Sequence, residues 1–241
     1  MAQLKWPVNG QDLYSSSSTQ IHPLGTRGED VFGRTWRYCL VGGTSLVVGN
    51  AIQAAAQAAD HQDRTPVAAA IGDTSLDISL GSTAITADDY KDGIAVIDTT
   101  PGIGYSYPIA AHPLAASGAA SFIFNLARGW PVQIALTTTS RVSLYANPYS
   151  RVIQSPVTTL TNVLVGVAEY ILVNAQYGWI GTGGPFGTLI QGTPDVGEMV
   201  GGPASAAGAV NDYAAGAECP VGHMMDTGQD AKVEAVRWFL H

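Results

Sequence analysis

The sequence predicts a mainly β protein, an antiparallel β-sandwich or barrel with an extended N-terminal arm and little helix. From Trp36 onward, apolar and polar residues alternate with a period of two, which is typical of half-buried strands. The 241 residues include 28 Gly and 13 Pro, and these turn-forming residues separate the apolar runs. Many short strands joined by turns favour an antiparallel arrangement over alternating strands and helices.

Residues 1–35 are predicted to form the extended arm, and residues 36–241 a β-rich domain. The arm is rich in Ser, Gly, Pro and Gln, and it includes an uninterrupted run of hydroxyl residues from Ser15 to Thr19. It lacks hydrophobic periodicity, as linkers do. Ordering such a segment costs conformational entropy, so a neighbour must supply the compensating contacts if the arm is ordered.

The clearest strands in the middle of the chain alternate apolar residues with Ser, Asp or Arg. Each of them is bounded by a turn signal such as Asp92-Gly93 or Pro101-Gly102. Alternation of this kind predicts strands with one face in the core. Three sets of apolar residues carry the pattern: Leu76, Ile78 and Leu80; Phe122, Phe124 and Leu126; Val142 and Leu144.

Two Ala-rich stretches interrupt the β pattern. Residues 51–61 have high helix propensity and could be capped by Asn50, whereas residues 45–48 before them look like a strand. A strand running into a short helix is therefore predicted. Residues 204–210 are broken by Gly208 and are predicted to be a loop or a strand edge.

The last third of the chain predicts five short strands with Gly-rich links. A compact C-terminal β-barrel over residues 156–241 would close them, with a possible subdivision near residue 155, because closure removes exposed edges. Residues 181–187 (GTGGPFG) are predicted to be a turn between two of these strands. The five candidates are residues 163–167, 170–173, 177–180, 186–190 and 233–240, of which the last is the strongest and is expected to complete the sheet.

Composition excludes several classes of function. Apolar residues make up 46% of the chain and charged residues only 12%, so the surface must be covered mainly by uncharged residues, which are easier to desolvate in an interface. The formal net charge of −8 would repel a phosphate backbone, so nucleic-acid binding is not expected. We expect neither a secretory signal nor a membrane span, and we expect synthesis in the host cytoplasm.

No residue pattern predicts reactive chemistry. The five histidines are scattered and lack metal-ligand spacing, and Cys39 and Cys219 are expected to be buried thiols. His61 is expected in a solvated turn or as a satisfied histidine. The carboxylates Asp88, Asp89, Asp92 and Asp98 are read as a solvated turn rather than a catalytic pair. We therefore predict no catalytic, cofactor-binding or metal-binding residue, no cofactor and no enzyme activity.

The tryptophans divide into two groups. Trp130, Trp179 and Trp238 lie in or beside predicted strands, and packing in the core is expected for all three. Trp6 and Trp36 lie in the arm or just after it. For these two the sequence leaves open an anchor into a partner's pocket or packing within the molecule.

Six short segments carry a likeness to known proteins: residues 93–96 (GIAV), 102–109 (GIGYSYPI) before His112-Pro113, 142–150 (VSLYANPYS), 177–185 (YGWIGTGGP), 196–200 (VGEMV) and 220–225 (PVGHMM). They consist of strand and turn residues, and the likeness as a whole spans roughly residues 36–241. In these segments the chain resembles the capsid cement or decoration proteins of tailed phages, a family encoded beside major capsid proteins of the HK97 type.

The resemblance implies a structural virion protein of the capsid. Such a protein would bind between capsomers of the major capsid protein, often as a homotrimer, and would stabilise the phage head. The family has no catalytic motif that could be transferred to this chain. Two alternatives remain open: a structural component of the phage tail or baseplate, and a carbohydrate-binding module of the virion, which would need an acidic cleft lined with aromatic residues.

Overall fold

The computed structural model describes residues 4–6 (backbone only), 12–214 and 218–240. Strands account for 38% of the chain and helix for 1%, so the prediction of a mainly β protein with little helix is confirmed. Antiparallel sheets form a curled half-barrel and a second sheet. In chain order the strands are β1 (Leu4–Trp6), β2 (Arg27–Asp30), β3 (Thr35–Leu40), β4 (Ala51–Gln53), β5 (Ser75–Ile78), β6 (Ile94–Ile97), β7 (Ser106–Ala111), β8 (Phe122–Leu126), β9 (Val142–Tyr145), β10 (Ile153–Gln154), β11 (Leu164–Val167), β12 (Tyr177–Leu189), β13 (Met199–Gly202), β14 (Asn211–Asp212), β15 (Cys219–Met224) and β16 (Val233–Phe239).

The chain divides into two compact units. Unit 1 consists of Met1–Ala56 and Pro148–His241, and unit 2 is the inserted segment Gln57–Asn147. This division differs from the predicted one, which placed boundaries near residues 35 and 155. The reason is long-range pairing: β3, early in the chain, pairs with β12, which follows the insertion.

The sheet of unit 1 has the order β1-β2-β3-β12-β16-β15-β13-β14, and β11 joins β4 and β10 to it through β12. Large aromatic residues fill the concave side. Trp36 and Trp179 are fully buried, Trp238 and Phe186 nearly so, and the Phe186 ring meets the edge of Trp36 with centroids 5.0 Å apart. Aromatic rings bury the largest areas of any side chain, so this cluster supplies much of the apolar burial of unit 1.

Strand β12 replaces the predicted turn at residues 181–187, so that prediction was wrong. Its first half pairs with β3 and its second half with β16, and the change of partner occurs at Gly183. A Cβ atom on Gly181 would lie only 2.7 Å from the Phe186 ring. Glycine is therefore needed here for the close approach of a bending strand to a ring, and not for a reversal of the chain.

Four other sequence predictions for unit 1 have clear outcomes. The strands predicted at residues 163–167 and 233–240 are confirmed as β11 and β16. Residues 170–173 form no strand, and only Leu172 pairs, with Leu46 in an isolated bridge. Residues 204–210 form a loop whose last residue makes an isolated bridge, as predicted.

The short helix predicted within residues 51–61 is absent apart from one 3-10 turn at Ala59–His61. Residues 51–53 instead form β4, whose three side chains are all buried. Strand β4 lies between β10 and β11 and pairs with both. Pairing on both edges and burial therefore override the helix propensity of alanine, which is small for each residue.

Residues 12–35, predicted as part of the arm, belong to unit 1 and are tied to its sheet and core at several points. Leu13 is buried in its core, and Ser17 pairs with Tyr177 through two backbone hydrogen bonds of 2.8 and 2.9 Å. Strand β2 then pairs with β3. The entropy cost of ordering this segment is offset within the same chain, by contacts with its own sheet.

Unit 2 contains a five-stranded sheet of order β5-β8-β7-β6-β9. The alternation predicted for β8 is exact, with its first, third and fifth residues buried. Both edge strands bond the segment of residues 64–67: Arg64 exchanges two 2.8 Å hydrogen bonds with Val142 of β9, and Val67 donates to Asp77 of β5 over 2.8 Å. Hydrogen bonds therefore continue around the sheet, and neither edge strand presents its full length as an open edge.

A recurring local structure, which we call the bridge-turn unit, joins distant segments in both units. Two segments form an isolated antiparallel bridge, and each segment then makes a turn. In each turn the backbone N–H of the fourth residue after the bridge residue donates to the carbonyl oxygen of the first residue after the bridge residue. In five of the six strands the residue three positions after the bridge has positive φ. The three bridges are Leu46 with Leu172 in unit 1, and Ala69 with Leu136 and Ile85 with Ala115 in unit 2.

Candidate functional site

The structure shows the surroundings of the cysteine, histidine and carboxylate positions considered in the sequence. Within residues 12–214 and 218–240, no three His, Cys, Asp or Glu side chains gather as a metal site would require. Cys39 is buried, where desolvation raises the pKa of its thiol, and Cys219 is half-buried. Cys39 is therefore protonated at neutral pH, and the thiol is the unreactive form of cysteine.

His61 is a buried, satisfied histidine, one of the two alternatives that the sequence left open. Its Nδ1 lies 2.5 Å from the Tyr90 hydroxyl and its Nε2 lies 3.0 Å from the Thr83 carbonyl oxygen. Because a carbonyl only accepts, Nε2 carries the proton, and Nδ1 accepts from Tyr90. Tyr90 in turn donates its backbone N–H to Nε2 of His112 over 2.9 Å.

Of the four carboxylates at residues 88–98, those of Asp88, Asp89 and Asp98 have separate hydrogen-bond partners. Asp88 accepts the backbone N–H of His112 at 3.0 Å, and Asp89 accepts that of Thr86 at 2.8 Å. Asp98 accepts the hydroxyl of Ser143. Asp88 and Asp92 both have positive φ, as turn residues do. Each of these three carboxylates thus accepts a hydrogen bond from loop or turn backbone, or from a neighbouring side chain.

The exposure of two tryptophans tests what was predicted for them from the sequence. Trp130 is 55% exposed, so the prediction that it packs in the core was wrong. It lies in the turn between β8 and β9, where its backbone N–H donates to the Ala127 carbonyl oxygen. Trp36 is fully buried, so it packs within the molecule. The side chain of Trp6 lies outside the described residues.

A partly buried ionic network lies beside the aromatic core of unit 1. The Arg34 guanidinium stands 5.2 Å from the Trp36 ring and 5.1 Å from the Phe186 ring. Its Nε bonds Asp30 at 2.7 Å, and its Nη1 lies 3.9 Å from Glu169. Burial raises the pKa of Glu169 despite the charge of Arg34 and the Gly187 N–H that it accepts. The network fixes the hairpin of β2 and β3 onto the sheet.

An exposed apolar surface surrounds the bridge-turn unit of unit 1. Val47 follows the bridge residue Leu46, and Ile171 precedes the bridge residue Leu172, so these two side chains oppose each other on the face away from the buried leucines. Val48 and Val173 are the neighbouring turn residues. The exposed fractions of the four, which we call the apolar patch, are 55% for Val47, 45% for Val48, 64% for Ile171 and 43% for Val173.

The apolar patch continues beyond the turn. A Cβ atom on Gly49 would lie 3.0 Å from Cγ2 of Val233, so that valine adjoins the turn. Val233 is itself 52% exposed. Contiguous exposed apolar side chains of this kind mark protein-protein interaction sites more often than isolated ones do.

The bridge-turn units of unit 2 show that the backbone does not require apolar residues at these positions. The two residues after each bridge are Thr86-Ala87, Ala116-Ser117 and Thr137-Thr138 in three of the four strands, and Ala70-Ile71 in the fourth. Small or hydroxyl-bearing residues therefore make the same turn. In unit 1 three of the four corresponding residues are valines, so the fold alone does not account for them.

Sequence reasoning missed this surface because it is assembled from two segments more than 120 residues apart. The available signal was the pair of runs Leu46-Val47-Val48 and Ile171-Leu172-Val173, where apolar residues follow one another without alternation. A strand with one face in water does not need such a run.

Three comparisons with known proteins bear on the chain's relationships. No family model, no curated protein and no solved structure matches it. Among the residues that the structure describes, no helix is long and apolar enough to cross a membrane.

Proposed function

We propose that the protein is a structural accessory protein of a tailed-phage capsid, which binds assembled major capsid protein as a cement or decoration protein. The apolar patch of unit 1 is the observation that carries the proposal, because it exposes four apolar side chains around one bridge-turn unit, and three of them stand where most of the matching turns of unit 2 have small or hydroxyl-bearing residues. Binding through that patch would remove apolar surface from water, which favours association.

The charge of the chain supports a protein partner over an anionic one. With a formal net charge of −8, the chain would be repelled by nucleic acid and by acidic lipid headgroups. Only 12% of residues are charged, so an interface would desolvate few ionised groups. The likeness of residues 36–241 to cement proteins supports a capsid as the assembly that provides this partner.

The test is co-sedimentation of the purified protein with heads assembled from an HK97-type major capsid protein of the same phage. We expect saturable binding of the wild type. The triple variant Val47→Thr, Ile171→Thr, Val173→Thr should bind about 100-fold more weakly, because each change places a hydroxyl group where an apolar group would be buried, at a cost of about 1 kcal/mol. Ile71→Thr is the matched control, since Ile71 is an exposed bridge-turn residue of unit 2.

Two outcomes would contradict the proposal: failure of the wild type to bind heads, and full binding by the triple variant. Binding to purified tails in place of heads would favour the tail or baseplate alternative. Sedimentation velocity of the protein alone tests the expected homotrimer, for which a monomer at micromolar concentration is the contrary result.

A further inference from the structure

Unit 2 contains a chain of hydrogen bonds, linking two histidine rings through the hydroxyl and the backbone N–H of Tyr90, that the proposed function does not use. It runs from His61, in the 3-10 turn, through Tyr90 to His112, at the end of β7. His112 is 4% exposed and lies against the Phe122 ring, with centroids 5.1 Å apart. His61 is 3% exposed. The chain thus lies where the loop between β5 and β6 meets the residues that follow β7.

The hydrogen bonds of His112 require a neutral imidazole. Its Nε2 accepts the Tyr90 N–H at 2.9 Å, and its Nδ1 faces the carbonyl oxygen of Pro113 at 2.9 Å. A backbone N–H can only donate and a carbonyl can only accept, so the proton is on Nδ1. A second proton, on Nε2, would point at the N–H of Tyr90 and replace a hydrogen bond with repulsion between two donors.

His61 tolerates a proton better than His112 does. The partner of its Nδ1 is the Tyr90 hydroxyl, which can rotate and accept instead of donating. Asp60, the next residue, would also favour a positive charge on His61, although this carboxylate already accepts the hydroxyls of Ser82 and Thr83 at 2.7 and 2.8 Å. The rigid N–H donor therefore makes His112 the sensitive member of the pair.

The charged residues around His112 come from the loop between β5 and β6. Asp88 accepts the backbone N–H of His112 at 3.0 Å, and the N–H of Lys91 bonds the Asp88 carbonyl at 3.1 Å. Asp89 adjoins Tyr90 in sequence. From β8 the neighbour is the uncharged Phe122. Asp88 would favour a positive imidazole by its charge, but it is engaged by the backbone and makes no hydrogen bond to the ring that would offset the clash with Tyr90.

We propose that this chain of hydrogen bonds is an acid-released latch, in which protonation of His112 detaches the loop of residues 79–93 from the end of β7. The loop is held along its length by backbone bonds to residues 109–115, including the bridge between Ile85 and Ala115. Loss of the central bond at Tyr90 weakens this pairing in its middle. The proton binds the open loop in preference to the closed one, so closure is favoured at neutral pH and weakens on acidification.

Hydrogen exchange of the full chain tests the latch. Protection factors for peptides covering residues 82–92, corrected for the intrinsic effect of pH, should fall about tenfold between pH 7.5 and 5.5, as expected when the open loop takes up one proton midway through that range and the closed loop takes up none. In His112→Gln the fall should disappear, because the Gln carbonyl oxygen reaches the Nε2 position and does not titrate. His223→Gln, at an exposed histidine, is the matched control and should keep the fall.

A second measurement keeps the test decisive if His112→Gln does not fold. The ring ¹⁵N shifts of the wild type should show His112 protonated at Nδ1 alone at neutral pH, with Nε2 gaining its proton together with the loss of protection. Equal protection at both pH values, retention of the fall in His112→Gln, or a doubly protonated His112 within a closed loop would each overturn the latch.

Discussion

At the scale of single residues, the side chain that organises the largest number of bonds in unit 1 is Asp30. It accepts the backbone N–H groups of Phe32 and Arg34 at 2.9 and 3.0 Å, and the Arg34 Nε at 2.7 Å. Burial alone would raise the pKa of Asp30, but the bonds from Arg34 and Phe32 together lower it. The carboxylate therefore stabilises the hairpin of β2 and β3 in its ionised form.

Asp30→Asn should lower the free energy of unfolding of unit 1 by about 3 kcal/mol at pH 7, because it leaves Arg34 without its buried partner. A depressed pKa contributes stability that is present above the unfolded value of about 3.9 and is lost as the pH falls through the lower folded value. The wild-type advantage should therefore shrink below about pH 4. Urea unfolding at several pH values measures both effects.

Glu169→Gln is the matched variant, because burial raises the pKa of that carboxyl and the Gln carbonyl can still accept the Gly187 N–H. We expect no loss of stability from it at pH 7. Equal losses in the two variants would show that the partner of Arg34 is not Asp30 in particular.

At the scale of elements, alternation made some strands predictable and glycine hid one. Strand β8 could be found because one face is buried and the other lies in water, and β16 could be found from its run of strand-forming residues. In β12, the glycines that allow the bend also look like a turn signal. A single sequence does not separate a glycine needed for close approach from one needed for positive φ.

Gly181→Ala tests this interpretation of β12. The added methyl group would lie 2.7 Å from the Phe186 ring, so we expect a loss of about 1–3 kcal/mol in the free energy of unfolding. The double variant Gly181→Ala, Phe186→Leu should show coupling, because the leucine leaves room for the methyl group. Strict additivity of the two single changes in denaturant unfolding would argue against the contact as the cause.

The apolar patch was also beyond prediction from local sequence, because its two segments are far apart in the chain. The residues of the apolar patch are ordinary strand formers when each segment is read alone. Only the bridge between Leu46 and Leu172 brings them onto one face, and no local pattern encodes that pairing. The buried pairing of His61 with Tyr90 is equally a product of the fold, since 29 residues separate them in the chain.

At the scale of the whole molecule, the insertion of one unit into the other has a direct test. Unit 2 has its own hydrophobic cluster, including Leu76, Phe122 and Phe124, and both edge strands of its sheet are hydrogen-bonded to residues 64–67. Residues 57–147 expressed alone should therefore fold, with a cooperative thermal transition and near-ultraviolet circular dichroism from buried Tyr107 and Tyr90. A fragment that lacks a cooperative transition would show that unit 2 depends on unit 1.

The insertion also sets an order of events during synthesis on the ribosome. Unit 2 is complete once residue 147 has emerged, whereas β3 has to wait for β12, which begins at Tyr177. At translation rates of about 5–20 residues per second, the nascent Trp36 and Tyr38 remain without β12, one of the two strands that pair with β3, for a time on the order of ten seconds. We therefore expect chaperones that bind aromatic segments to bind the N-terminal third of the chain during that interval.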